Sequence, residues 1–215
     1  MNQQPGPQQG LVLSYLALRK AVGIIGVTLP FVLSIGKALL QSSGIESSIS
    51  YYYYTVMGNV FVGSLWAIGI FLLSTRGYNR IDAIAGRFAC LFAIGVSLFP
   101  TTPSKDAPQK AQLIGDVHLT FAALLFLTLA FFSLVLFTKT DPTQTPTPQK
   151  LQRNFVYRLA GWTIVACIAL IAVVKLTALG SAVANIEPVF WLESLAVFVF
   201  GVSWLTKGEA ILKDK

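Results

Sequence analysis

Six apolar stretches dominate this chain, over residues 21–40, 53–74, 81–99, 117–137, 159–179 and 189–205. Each is long enough to cross a hydrocarbon layer about 30 Å thick at about 1.5 Å per helical residue. Backbone N–H and C=O groups cannot be left bare in lipid, so a spanning segment is either a helix or a strand of a closed barrel. The runs are continuous and lack period-two alternation, which selects helices. The predicted fold is all-α: a polytopic membrane bundle of six transmembrane helices. Composition agrees, because only 12% of the 215 residues are charged and mean hydropathy is +0.67, against about 25% charged in soluble domains. The first stretch follows Arg19 and Lys20. It exceeds the roughly 7–15 apolar residues of a secretory signal and lacks a small-residue cleavage site, so it is expected to remain as a helix.

The net charge of +7 would point to nucleic acid in a soluble protein. Here the basic residues alternate by connection, and no nucleic-acid partner is expected. Arg19 and Lys20 precede the first span; Arg76, Arg80 and Arg87 surround the second turn; Lys139, Lys150, Arg153 and Arg158 fill the fourth connection; Lys207, Lys213 and Lys215 end the chain. The first and fifth connections hold no Lys or Arg, and the third holds Lys105 and Lys110. By the positive-inside rule both termini are expected to be cytoplasmic. The expected location is a bacterial plasma or inner membrane, with membrane lipids as the surrounding partners.

Residues 1–10, rich in Gln, Pro and Gly, are expected to be a disordered tail, and 11–215 a single membrane domain. Residues 11–18 are apolar but too short to span; they either lie on the cytoplasmic surface or extend the first helix. The Thr-, Pro- and Gln-rich segment 140–154 reads as a flexible cytoplasmic linker. Small residues (Gly58, Gly63, Ser64 and Gly69; Ala85, Gly86, Ala89 and Cys90) predict close packing of the second and third helices. Cys90 and Cys167 fall mid-span and read as packing residues. Pro30 removes a backbone hydrogen bond from the first helix, with a kink beside Thr28 and plain packing as the two readings. Phe121, Phe126, Phe131, Phe132 and Phe137 read as lipid-facing or gap-filling rings.

Ionisable residues within the spans gather toward the outer end. Lys37 and Lys175 each precede the end of their apolar stretch by about 6 Å, Glu193 has a similar depth, His118 lies nearer the surface and Asn59 slightly deeper. Charge in hydrocarbon is costly, so this layer is the leading functional candidate. Asp116 and Glu187 precede apolar runs and read first as caps or complements to a helix dipole, as does Asp82. The lysines can snorkel to headgroups. Glu193 is short and surrounded in sequence by Trp191, Leu192, Leu195 and Ala196, so it is expected to face the bundle. An ion pair with Lys37 or Lys175 is one expectation; a protonated ligand-binding group or a general acid or base is another.

The catalytic candidates are Glu193 and His118; the ligand-binding candidates are Glu193, His118, Lys37, Lys175, Asn59, Tyr51, Tyr52, Tyr53 and Tyr54. A metal centre would draw on His118, Asp116, Glu187 and Glu193, without a signature spacing. On one helix Asp116 and His118 point about 200° apart and would not share a site. The four tyrosines suit an interfacial aromatic belt, with at least one turned toward the polar layer to meet a headgroup, sugar or cation. No P-loop, nucleophile elbow, HExxH or dinucleotide fingerprint occurs.

The strings SISYYYYTVMGNVFVG at 48–63, LFPTTP at 98–103, and PVFWLE followed by FGVSWLTKGE in the sixth span resemble bacterial small integral-membrane proteins classed as domain of unknown function 998. The resemblance covers nearly the whole chain and implies six helices but no particular reaction. Its pattern often places charge where this chain has Gly58 and Asn59, so a mechanism needing a carboxylate there does not carry over.

Together these features lead to the expectation of an outward-facing polar pocket for a lipid headgroup or small polar ligand. A lipid hydrolase or transferase with or without a metal, an ion- or proton-coupled transporter, and a scaffold are the alternatives.

Overall fold

The computed structural model describes residues 7–74, 80–104, 106–140, 143 and 145–212. Six helices carry the fold: α1 (Pro7–Gln41), α2 (Gly58–Ser74), α3 (Arg80–Leu98), α4 (Gln109–Phe131), α5 (Pro148–Leu176) and α6 (Pro188–Lys207). No strand occurs among the described residues, and five of the six helices are long and apolar enough to cross a membrane. The chain is an all-α, multi-pass membrane bundle. Its exterior is correspondingly greasy: Phe31, Ile35, Leu39, Leu91, Leu159 and Trp162 are all exposed, Trp162 to 64%.

The elements differ from the sequence expectation in three places. First, α2 has 17 residues and does not include the tyrosines, which form a separate 3-10 turn over Ser50–Tyr54. Thr55 is extended at φ −109°, ψ 175°, which breaks the helical path. Gly58 then starts α2 so close to the turn that a Cβ there would lie 2.5 Å from the Tyr53 carbonyl oxygen. Second, the expected linker over 140–154 is too long: α5 already begins at Pro148. Thr147 caps it, its hydroxyl accepting from the Lys150 N–H at 3.1 Å, and Pro148 occupies the first helical position. Third, residues 7–10 belong to α1, which also settles 11–18 as an extension of that helix. The rest of the expected tail, residues 1–6, lies outside the described residues, as do Arg76, Lys105, Lys213 and Lys215.

Pro30 lies inside the continuous α1 and is buried, which fits packing. Its carbonyl accepts the Ser34 hydroxyl at 2.7 Å, and the Thr28 hydroxyl bonds back to Ile24 at 2.8 Å.

Small residues set the closest approaches. Gly69 of α2 packs on Cys90 and Ala93 of α3, where a Cβ would meet both at 3.4–3.6 Å. The crossing of α1 and α6 is tighter. A Cβ on Gly201 would lie 2.5 Å from the Val27 nitrogen and 2.7 Å from the Gly23 oxygen, and one on Gly26 would lie 2.9 Å from the Gly201 Cα. First and last helices therefore meet backbone to backbone.

α4 ends in a π turn over Phe132–Leu136, closed by the Phe137 N–H on the Phe132 carbonyl at 2.9 Å. In an uninterrupted α-helix, residues five apart point about 140° away from each other. The wider turn instead lets Phe132 and Phe137 both pack on Trp204 of α6, with centroids 5.7 and 5.1 Å away. Beside them the buried Ser133 and Ser203 hydroxyls pair at 3.1 Å.

The helices alternate in direction. One end of the bundle gathers Arg19, Asp82, Lys139, Lys150, Arg153 and Lys207; the other gathers Lys37, the tyrosine turn, residues 101–103, His118, Lys175 and Glu193. They are called the basic end and the tyrosine end below.

Candidate functional site

At the tyrosine end the predicted polar layer exists, but most of its members are bound to the chain's own loops. Glu193 lies one and a half turns into α6, directed at the start of the tyrosine turn. Its Oε2 accepts the Ile49 N–H at 2.7 Å, and the Ser50 backbone N–H also faces the carboxylate. A negative charge at the exposed N–H groups of a helical turn is a favourable arrangement. Neither expected ion pair of Glu193 forms. Lys175 is exposed in the last turn of α5, where it makes no ion pair among the described residues, although its charge acts on both Glu193 and His118.

Lys37 is 5% exposed and pairs with Glu46, while its ammonium also donates to the Gly44 carbonyl at 2.6 Å. It stands 6.0 Å from the centroid of the Tyr52 ring. Tyr52 is fully buried against Phe190 of α6, with its hydroxyl directed at the Glu46 backbone. Burial holds that phenol above its ordinary range; the Glu46 backbone opposes this and the Glu46 carboxylate adds to it. Glu46 was missing from the sequence candidates because it follows Lys37 by nine positions in a non-helical connection, where no periodic spacing links the two.

Tyr51 and Tyr54 hold the connection between α3 and α4. The Tyr51 hydroxyl donates to the Pro103 carbonyl and the Tyr54 hydroxyl to that of Thr101, the latter at 2.6 Å. On the far side of this loop, Thr102 lies against Gly115 of α4, where a Cβ would be only 1.9 Å from its hydroxyl oxygen. His118 is buried, and its Nδ1 faces the Val96 and Phe99 carbonyls at 3.1 and 2.6 Å. As a donor, that nitrogen caps the open carbonyls at the end of α3.

Asp116 is not a cap: it is the eighth residue of α4, exposed on the face away from buried His118. Glu187 does occupy the position before α6, in the left-handed region at φ 47°, but its side chain makes no capping bond. Asp82 sits in the first turn of α3 and is paired with Lys139 at 2.8 Å. The proposed metal set does not assemble, since among the described residues no three His, Cys, Asp or Glu side chains come together. Cys90 and Cys167 are buried and unbridged, and Phe132 and Phe137 fill the core.

One cleft at this end, of about 620 Å³, opens between α2, the tyrosine turn and the end of α3. Tyr53, Thr55, Asn59 and Ser97 supply its polar groups; Val56, Val62 and Leu98 supply apolar ones. Thr55 is used locally, its hydroxyl donating to the Tyr52 carbonyl at 2.9 Å, and Ser97 donates to Ile94 at 2.8 Å. The Tyr53 hydroxyl and the exposed Asn59 amide have no protein hydrogen-bond partner among the described residues. Asn59 and Tyr53 were legible in the sequence, whereas Thr55 and Ser97 carried no signal beyond being hydroxyls near a helix end. Comparison of the chain with protein-family models, curated proteins and solved structures finds no match.

Proposed function

We propose that the protein binds the uncharged or zwitterionic polar head of a membrane lipid, or a small polar molecule of the same kind, in the cleft between α2 and α3. The carrying observation is the pairing there of two unengaged polar groups, Tyr53 Oη and the Asn59 amide, with an apolar wall and no charged side chain. A volume of about 620 Å³ falls in the ordinary range of small-molecule sites, about 300–1,000 Å³. A headgroup or sugar hydroxyl bonds to Tyr53 and Asn59, and the acyl portion lies along Val56, Val62 and Leu98. By the positive-inside rule the basic end is cytoplasmic and the cleft faces outward. The resemblance noted above favours a bacterial plasma membrane.

The hydrolase reading loses support from the same geometry, since Asp116 faces away from His118 and one imidazole nitrogen is occupied by carbonyls. Native mass spectrometry of protein extracted in mild detergent tests the binding reading. A retained species should weaken about tenfold, as expected for the loss of one well-made hydrogen bond, in Asn59→Leu and in Tyr53→Phe. Wild-type protein that is consistently empty would overturn it. Orientation is tested separately by labelling exposed single-cysteine variants: Glu187→Cys should react from outside and Leu151→Cys only after permeabilisation.

A further inference from the structure

A second hollow, of about 350 Å³, lies between α1 and α6 in the half of the bundle nearer the tyrosine end. Its walls are largely aromatic: Phe31 of α1 with Phe190, Trp191 and Phe198 of α6. Phe31 and Phe198 meet edge to face with centroids 6.2 Å apart, as do Phe190 and Trp191 at 5.1 Å. Ile45 lines the outer end, and it stands between Gly44 and Glu46, the two residues that hold Lys37. Phe31 and Trp191 are more than half exposed, so the hollow opens sideways toward lipid. One polar group in its wall is unused. Ser194 is 9% exposed, and its hydroxyl has no hydrogen-bond partner among the described residues. Thr28, Ser34, Thr128 and Thr206 each donate to the carbonyl four residues back in their helices, and Ser194 does not. Ser34, the other hydroxyl lining the hollow, is therefore already engaged. A buried hydroxyl without a partner is destabilising, and an acceptor on a bound molecule removes that penalty.

We propose that this hollow binds the flat, uncharged ring of a membrane-soluble quinone, with a ring carbonyl accepting from the Ser194 hydroxyl. Among the described residues no charged side chain lines the hollow, which disfavours a phosphate or ammonium headgroup. An acyl chain fills apolar space but offers nothing to Ser194. The ester carbonyls of glycerolipids lie at the headgroup boundary. Trp191 marks that level in the manner of interfacial tryptophans, and Ser194 is about 4.5 Å deeper at the helical rise. A quinone carries its carbonyls without charge, so they can sit at that depth. Phe and Trp rings favour edge-to-face and offset contacts with a flat π system, which suits these walls to a ring. The volume of about 350 Å³ lies in the range of small-molecule sites, about 300–1,000 Å³. The site is separate from the cleft between α2 and α3 and does not rest on the reading proposed for it.

The test is native mass spectrometry of the full chain titrated with decyl-benzoquinone and, separately, with dioctanoylglycerol, which has ester carbonyls but no ring. The wild type should retain the quinone in preference. Binding should weaken about tenfold in Ser194→Ala, as for the loss of one hydrogen bond, and also weaken in Trp191→Ala, which removes part of the wall. It should be unchanged in Ser74→Ala, which deletes an exposed hydroxyl at the other end of the bundle. Ser194→Ala removes a hydroxyl that has no partner, so its thermal midpoint without ligand should not fall, which separates lost binding from lost folding. Wild-type protein that retains no quinone, retention of dioctanoylglycerol equal to that of the quinone, or Ser194→Ala binding as the wild type does would each overturn the proposal.

Discussion

The two ends of the bundle use charge in opposite ways. At the tyrosine end each buried charge meets a complement supplied by a loop: Lys37 has Glu46 and the Gly44 carbonyl, and Glu193 has the N–H groups at the start of the tyrosine turn. Those bonds fix the connection between α1 and α2 onto α6. At the basic end, cations from α1, α5 and α6 face one another, and Lys207 has only an aromatic ring beneath it. The first arrangement joins each of its charges to a loop group, whereas in the second, among the described residues, the Lys207 ammonium makes no hydrogen bond or ion pair. Polarity within a membrane bundle is therefore no single sign of function. Whether the groups satisfy one another decides whether they act as a clamp.

That contrast breaks most readily at Lys37. Lys37→Met removes one partner of a buried pair and leaves Glu46 facing Tyr52; breaking such a pair costs about 3–5 kcal/mol, and the partial exposure of Glu46 places the cost near the lower figure. Thermal unfolding in detergent should show the largest loss here, and an unchanged midpoint would remove the clamp interpretation. Glu193→Ala comes next, at about 2 kcal/mol for a lost charge-assisted hydrogen bond. It should also accelerate hydrogen exchange selectively at Ile49 and Ser50. Exchange that rises evenly through α6 instead would show that Glu193 supports its own helix and not the loop. His118→Ala should cost about 1 kcal/mol by opening the end of α3, with exchange and mobility changes confined to the region around Phe99. Changes that spread to Lys175 and Glu193 would mean the histidine belongs to a larger network.

The sequence made the bundle legible because membrane-length apolar runs admit few folds, and it located the polar layer because charge in such runs is conspicuous. It did not show how the layer is wired. Glu193 pairs with backbone N–H groups, which every residue possesses, so no residue type advertises the contact. Lys37 finds Glu46 through an irregular connection. Asp116 looked like a cap because the apolar run starts after it, but α4 begins seven residues earlier with polar Gln109 and Lys110. Helix start and hydrophobic onset need not coincide where a helix projects from the membrane. The α1–α6 crossing escaped for a different reason. Gly23, Gly26 and Gly201 lie at opposite ends of the chain, and each glycine is explained only by the other helix. Similarly, Phe137 enters the core through a π turn that a regular 3.6-residue period assigns to another face.

The smallest expected effect is the most diagnostic, because its sign separates the two ends. In lipid-free detergent, Lys207→Met removes an ammonium that has no hydrogen-bond acceptor among the described residues and that Arg19, Lys150 and Arg153 repel. The side chain gives up its contact with the Phe137 ring, worth about 0.5–1 kcal/mol at a partly solvated site, but keeps its apolar stem there. Relief of repulsion and of desolvation opposes that loss, so stability should stay within about 1 kcal/mol of wild type or rise. Lys37→Met applies the same chemical change at the other end and should fall by several times that amount. A lipid-free loss at Lys207 as large as that at Lys37 would mean the basic end is internally paired like the tyrosine end, and the difference between the two would disappear.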